Sequence, residues 1–185
     1  MTSEQYLANP QSIASLIDHT LLKPEATESD IARLCREARE HNFATVCVNP
    51  CWVSFAREQM AGATVRVCAV VGFPLGANAG EVKAGEAELA LSQGAAELDM
   101  VQNIGALRSG NEPLVKKEIA DIAALAHTRG AILKVILETC LLSDQQKTAA
   151  CRLAAEAGAD FVKTSTGFSS GGATEEDVRL MRRVV

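Results

Sequence analysis

Gly158-Ala159-Asp160-Phe161-Val162-Lys163-Thr164-Ser165-Thr166-Gly167 holds, in one short run, a helix-ending glycine, an apolar strand and a lysine placed where the strand leaves for a Thr/Ser/Gly turn. Glycine after a helix supplies the left-handed residue that closes it. The same Gly-Ala joint recurs at Gly62-Ala63, Gly94-Ala95 and Gly130-Ala131, each between a helical pattern and an apolar run. A joint repeated at roughly thirty-residue spacing predicts one strand-helix unit used several times. Such alternation with buried strands means a parallel sheet.

Outward from that stretch, runs of strand character fall at Leu16 to Leu22, Phe43 to Val48, Thr64 to Val71, Leu98 to Ile104, Ile132 to Leu137 and Asp160 to Lys163. Helical patterns lie between them. Thr27-Glu28-Ser29-Asp30 opens one with Ile31, Leu34, Cys35 and Ala38 on a single face. Pro50 to Met60 carries Val53, Ala56 and Met60 in register, Glu81 to Gln93 follows, and Glu112 to Arg129 turns Val115, Ile119, Ile122 and Ala126 inward. Ser143 with Gln146 caps a further helix, and Thr174 with Asp177 caps the last.

Two architectures use this unit, an open doubly wound sheet and a closed eight-stranded barrel. The strands of an open sheet meet helices on both faces, whereas a barrel tolerates polar groups on its inner face near the C-terminal mouth. Asp18 and Thr20, Cys47 and Asn49, Asp99, Lys134 and Glu138, and Lys163 alternate along five strands and describe one polar ring. The fold class expected is therefore α/β, of the TIM (β/α)8 barrel family. A full barrel typically needs ~250 residues. The expectation is a single incomplete barrel domain over residues 1–185, about six β/α units with strands seven and eight missing, from a truncated gene or fragment.

Composition narrows the function. Hydrophobic residues make up 48% and charged residues 22%, enough apolar material for a proper core. The net charge of -5 gives no basic field for a polyanion, so nucleic acid is not an expected partner. Met1 to Pro10 shows no basic segment followed by an apolar run, and no stretch is long enough to span a membrane. A cytoplasmic protein is expected. Its six scattered cysteines read as reduced thiols, and the Cys47/Cys51 spacing as chance rather than half a metal site.

Lysine is rarely buried without cause. An amine at the mouth of an apolar pocket is destabilised as the ammonium, which predicts a lowered pKa and a neutral nucleophile at Lys163. The plainer account of that segment is a lysine snorkelling to solvent. Lys134 lies one strand earlier; repulsion between two ammonium groups would lower one pKa further, and a structural pair with Asp99 or Glu138 is the alternative. Asp99 is the carboxylate placed to move protons on a carbinolamine or enamine. Asp18 either orients substrate hydroxyls or is structural. The segment Gly72-Phe73-Pro74-Leu75-Gly76 lacks nucleotide-loop spacing. Gly167 to Gly172 precedes a capped helix whose N-terminus suits a phosphate, and as a flexible loop it needs no ligand. The scattered histidines give no metal-dependent alternative, and no cofactor is called for.

With these residues in view, the chain resembles the deoxyribose-phosphate aldolase family, Schiff-base (class I) aldolases. The resemblance runs through Leu16 to Pro24, Val46 to Pro50, Val70 to Gly76, Glu97 to Val101, Leu133 to Thr139 and Phe161 to Phe168, in the family's order. It implies that Lys163 forms an imine with acetaldehyde, whose enamine adds to D-glyceraldehyde 3-phosphate to give 2-deoxy-D-ribose 5-phosphate. It further implies a proton-relay role for Asp99, a strand lysine of the site in Lys134, and pocket roles for Asp18, Thr20 and Cys47. Gly167 would belong to the phosphate grip, where some relatives carry a lysine in place of Phe168. The family's seventh strand bears a second catalytic lysine and a Gly-Gly-x-Arg loop, which do not occur before Val185. A feeble or catalytically dead barrel fragment is therefore the alternative expectation, with homo-oligomerisation left open.

Overall fold

The computed structural model describes residues 10–185; the reading of residues 1–9 lies outside them. Six strands form one parallel sheet in sequence order, β1 (Asp18–Leu21), β2 (Thr45–Val48), β3 (Arg66–Val71), β4 (Glu97–Val101), β5 (Ile132–Ile136) and β6 (Phe161–Lys163). Strict sequential order with every neighbour parallel is the winding of a β/α barrel rather than of a doubly wound sheet, which reverses direction at a switch point. Among the described residues β1 and β6 remain edges and do not pair with each other.

The helices are α1 (Glu28–His41), α2 (Val53–Gln59), α3 (Gly80–Ser92), α4 (Ile104–Arg108), α5 (Glu112–Thr128), α6 (Asp144–Glu156) and α7 (Glu175–Val184). Local chemistry sets their ends. Thr27 and Asp30 form a reciprocal capping box on α1, Ser143 and Gln146 another on α6, and the Thr174 hydroxyl accepts from the Asp177 N–H to open α7. Gly62, Gly94, Gly130 and Gly158 all have positive φ, as the joint predicted. At three of these joints the following alanine donates back five residues, Ala95 to Ala90, Ala131 to Ala126 and Ala159 to Ala154, the Schellman closure that satisfies helix-end carbonyls.

Side-chain parity separates the two faces. Val46, Val48, Val67, Ala69, Leu98, Met100, Leu133 and Val135 point toward the helices and meet Ile31, Ala38, Val53, Ile119, Ile122 and Ala154 in one continuous core. The opposite, inner face holds a much smaller apolar group, Cys47, Cys68 and Val70, with Leu22 and Phe73 against it. Charged side chains of β1, β4, β5 and β6 share that inner face. The hydrophobic core of this molecule is thus the layer between sheet and helices.

Strand ends differ from expectation by a residue or more throughout, and three of the departures have a clear local cause or consequence. The run read as a strand from Leu16 begins as a 3-10 turn (Pro10–Leu16), and β1 starts only at Asp18. The run read to Ile104 ends at Val101, because the Asn103 side chain accepts from the Ala106 N–H and starts α4. Glu138 leaves the polar ring: β5 ends at Ile136 and Glu138 takes the left-handed conformation.

Candidate active site

Asp99 sits at the middle of β4, wholly buried, directly opposite Lys134 in the β4–β5 register. Its Oδ1 accepts from Lys134 Nζ at 3.0 Å, and its Oδ2 is in close contact with Lys163 Nζ. Lys163 ends β6 and pairs with Ile136, one step nearer the mouth than Lys134. The carboxylate therefore bridges two amines from neighbouring strands at two depths. Lys134 Nζ also reaches Asp18 Oδ2 at 2.9 Å and Glu97 Oε2 at 2.7 Å. Thr45 donates to the other Asp18 oxygen at 2.7 Å, and Arg66 holds the other Glu97 oxygen at 2.5 Å.

The amines are not neutral here, against the expectation from sequence. Burial lowers the Lys163 pKa, but the contact with Asp99 outweighs it, and the net shift is upward from 10.5. Lys134 is likewise pushed up: burial opposes the charge, while Cys68, Asp99, Glu97 and Asp18 favour it. Burial raises the Asp18 pKa, yet the Lys134 ammonium and the Thr45 hydroxyl carry it below 3.8. Repulsion between the two ammonium groups does not free an amine, because three carboxylates, Asp18, Glu97 and Asp99, converge on the same inner face. The structural pair proposed for Lys134 exists with Asp99 and not with Glu138, whose carboxylate turns to Thr166.

Sequence reading missed Glu97 and Cys68. Both had a signal: Glu97 shares strand parity with Asp99, and Cys68 faces Cys47 in the β2–β3 register. The thiols of Cys47 and Cys68 and an Asp99 oxygen lie within 4.8 Å of one another, the one such group of metal-ligand type found among the described residues. Two ammonium groups already occupy Asp99, and burial drives the Cys68 thiol well above 9.0. These donors do not make a ready cation site. Cys51 is exposed and stands apart from that group, and all six cysteines are free.

At the mouth, the Thr20 hydroxyl is exposed and donates to the Asp18 carbonyl, while Asn49 donates to the Leu22 carbonyl. Gly167 has a φ of +82° with open space where a Cβ would stand. Phe168 meets Phe73 edge-on at 5.2 Å, joining the loop after β6 to the loop after β3. That β3 loop is built for close packing. A Cβ on Gly76 would fall 2.0 Å from the Gln102 carbonyl, so only glycine fits.

A sequential parallel β/α sheet with paired lysines and a carboxylate on its inner face is an arrangement that suits a lyase of the aldolase class. The DeoC/LacD family aldolase profile matches residues 12–185, and the chain belongs to that family. It is 60% identical over 170 residues to the deoxyribose-phosphate aldolase of Brevibacillus brevis, covering 91% of this chain and 76% of that protein. It is 56% identical over 186 residues to that of Caldanaerobacter subterraneus subsp. tengcongensis, covering 100% and 79%. The tetrameric deoxyribose phosphate aldolase from Aeropyrum pernix superposes with a TM-score of 0.90 at 37% identity, over 97% of this chain and 75% of that one. Among the described residues no helix is long and apolar enough to cross a membrane.

Proposed function

We propose that this chain carries the reversible aldol cleavage of 2-deoxy-D-ribose 5-phosphate to D-glyceraldehyde 3-phosphate and acetaldehyde, through an imine on Lys163. The observation that carries the reading is that one buried carboxylate, that of Asp99, grips both Lys163 and Lys134. In the synthetic direction the Lys163 ammonium gives a proton to Asp99 or to water, and the free amine attacks the aldehyde carbon. Loss of water from the carbinolamine leaves the imine. Removal of a proton from its methyl group gives the enamine, whose carbon attacks the carbonyl of the phosphorylated aldehyde. Water then releases the product and restores the amine. Asp99, in contact with the Lys163 amine, serves as the proton relay. Lys134 fixes its orientation by holding the far oxygen, and Asp18, supported by Thr45, holds Lys134 in turn.

Thr20 and Cys47 line the substrate side of this face, and Gly167 lends an exposed, side-chain-free turn to the phosphate. The chemistry calls for no cofactor. A cytoplasmic location, in keeping with the free thiols, is part of the proposal, as is assembly into a homo-oligomer. A weakly active or catalytically dead barrel is the second reading: Asp99 favours the ammonium form of Lys163, and only the free amine attacks a carbonyl.

The donor distinguishes this activity from that of a Schiff-base aldolase with another substrate. Incubation with D-glyceraldehyde 3-phosphate and either acetaldehyde or a ketone donor is expected to give 2-deoxyribose 5-phosphate from acetaldehyde alone. Condensation with the ketone only would contradict the proposal.

A further inference from the structure

Glu138 is a large side chain in a backbone conformation that favours glycine, with φ +57° and ψ +63°. A residue of this kind persists there only where its surroundings over-determine it. Its side chain is also buried, 2% exposed. Among the described residues it has no ion pair with a lysine or arginine. Instead, one carboxylate oxygen accepts from the Thr166 N–H at 3.3 Å and the other is in close contact with the Thr166 hydroxyl. That hydroxyl oxygen accepts from the Phe168 N–H at 3.0 Å.

The surrounding bonds tie the same two segments together. Leu137 N–H donates to the Lys163 carbonyl and Thr139 N–H to the Thr164 carbonyl, both at 2.9 Å. Further along, a Cβ on Gly171 would stand 2.8 Å from the Cys140 Cβ, so the loop lies flat on the 3-10 turn Thr139–Leu141. Pairing of β6 with β5 holds Lys163, and the Glu138 turn holds the loop residues beyond it. A carboxylate that accepts from both the amide and the hydroxyl of one threonine fixes the chain direction there more tightly than either bond alone.

We infer that Glu138 is a positioning residue: through Thr166 it sets the distance between the Lys163 amine and the Gly167–Gly172 loop, and so selects substrates that carry a phosphate. This rests on the aldolase reading above. Glu138 touches neither the reacting carbon nor Lys163, so its effect falls on recognition of the far end of the sugar.

Trapping on Lys163 with borohydride, titrated with 2-deoxyribose 5-phosphate and in parallel with unphosphorylated 2-deoxyribose, separates the two ends. Glu138→Gln and Thr166→Val are expected to weaken trapping of the phosphorylated sugar about tenfold, the effect of one lost charge-assisted hydrogen bond. The unphosphorylated sugar should change less than about twofold, and Thr166→Ser, which keeps the hydroxyl, should restore the preference. A ratio between the two sugars that Glu138→Gln leaves unchanged, or equal losses with both, overturns the inference. A parent chain that traps neither sugar tells against the aldolase reading instead. Amide exchange then decides the positioning role: Glu138→Gln should speed exchange at Thr166 and Phe168 and leave β4 as it was, and unaltered exchange there rules it out.

Discussion

Asp99 favours the ammonium form of two lysines at once, and in the proposed mechanism this bears on rate before any substrate arrives. Because its charge raises the Lys163 pKa above 10.5, the free amine is a minor species across the neutral range. Imine formation limited by free amine should therefore rise about tenfold per pH unit from about pH 6 to 9. Measuring the rate of acetaldehyde trapping against pH tests this; a flat profile above neutrality would mean that the amine is already free. Stability runs the other way. The raised lysine pKa values favour the fold at and below the ordinary lysine value, and that contribution is lost as pH rises through the folded-state values. The lowered pKa of Asp18 contributes above 3.8 and is lost as pH falls through its folded value.

At the scale of elements, α3 and α5 are joined by a pair of charges with almost no access to water. Lys83 Nζ meets Glu118 Oε2 at 2.8 Å, the lysine 0% and the glutamate 5% exposed. Gly72 and Gly80 make room for it: added Cβ atoms would come within 3.1 Å of the Lys83 chain and 3.2 Å of the Glu118 chain. Removing one partner leaves a buried charge alone, so Lys83→Met should lower unfolding stability by about 3–5 kcal/mol. Lys83→Met with Glu118→Leu should recover most of that loss, as read by urea denaturation of the single and double variants. A double variant no better than the single would mean that the pair's shape matters more than its charge.

Much at this scale was legible beforehand. Capping residues act through their neighbours three positions away, which is why the starts at Thr27, Ser143 and Thr174 could be read from sequence, and the Gly-Ala joints are equally local. The strand parity that selected the inner face followed from alternation alone. Lys83 and Glu118 stood in recognised helices, but their pairing depends on how α3 and α5 cross. The turn at Glu138 was hidden because its left-handed conformation is held by Thr166, in a different β/α unit. The protonation of Lys163 was hidden for a related reason: the contact with Asp99 that favours its ammonium forms only once β4, β5 and β6 have been set in register.

The whole molecule places its apolar weight on one side of the sheet. Leu133, on the helix side of β5, is 0% exposed, whereas Phe161, on the inner side of β6, is 57% exposed. Leu133→Ala should therefore cost about 2–5 kcal/mol by leaving a cavity in the layer that holds sheet and helices together. Phe161→Ala, where water already reaches the ring, should cost less than about 1 kcal/mol in the same denaturation experiment. Equal losses would mean that the inner face contributes as much to cohesion as the outer. This division leaves the inner face available for charge, and there Asp18, Glu97, Asp99, Lys134 and Lys163 are gathered from four strands.

In the proposed reaction the nitrogen at position 163 is the one that bonds to substrate carbon. Incubation with acetaldehyde, reduction with borohydride and peptide mapping by mass spectrometry tests it directly. An N-ethyl group is expected on Lys163, formed faster at alkaline pH and absent from Lys163→Ala. An adduct that settles on Lys134, or that persists when Lys163 is replaced, would contradict it.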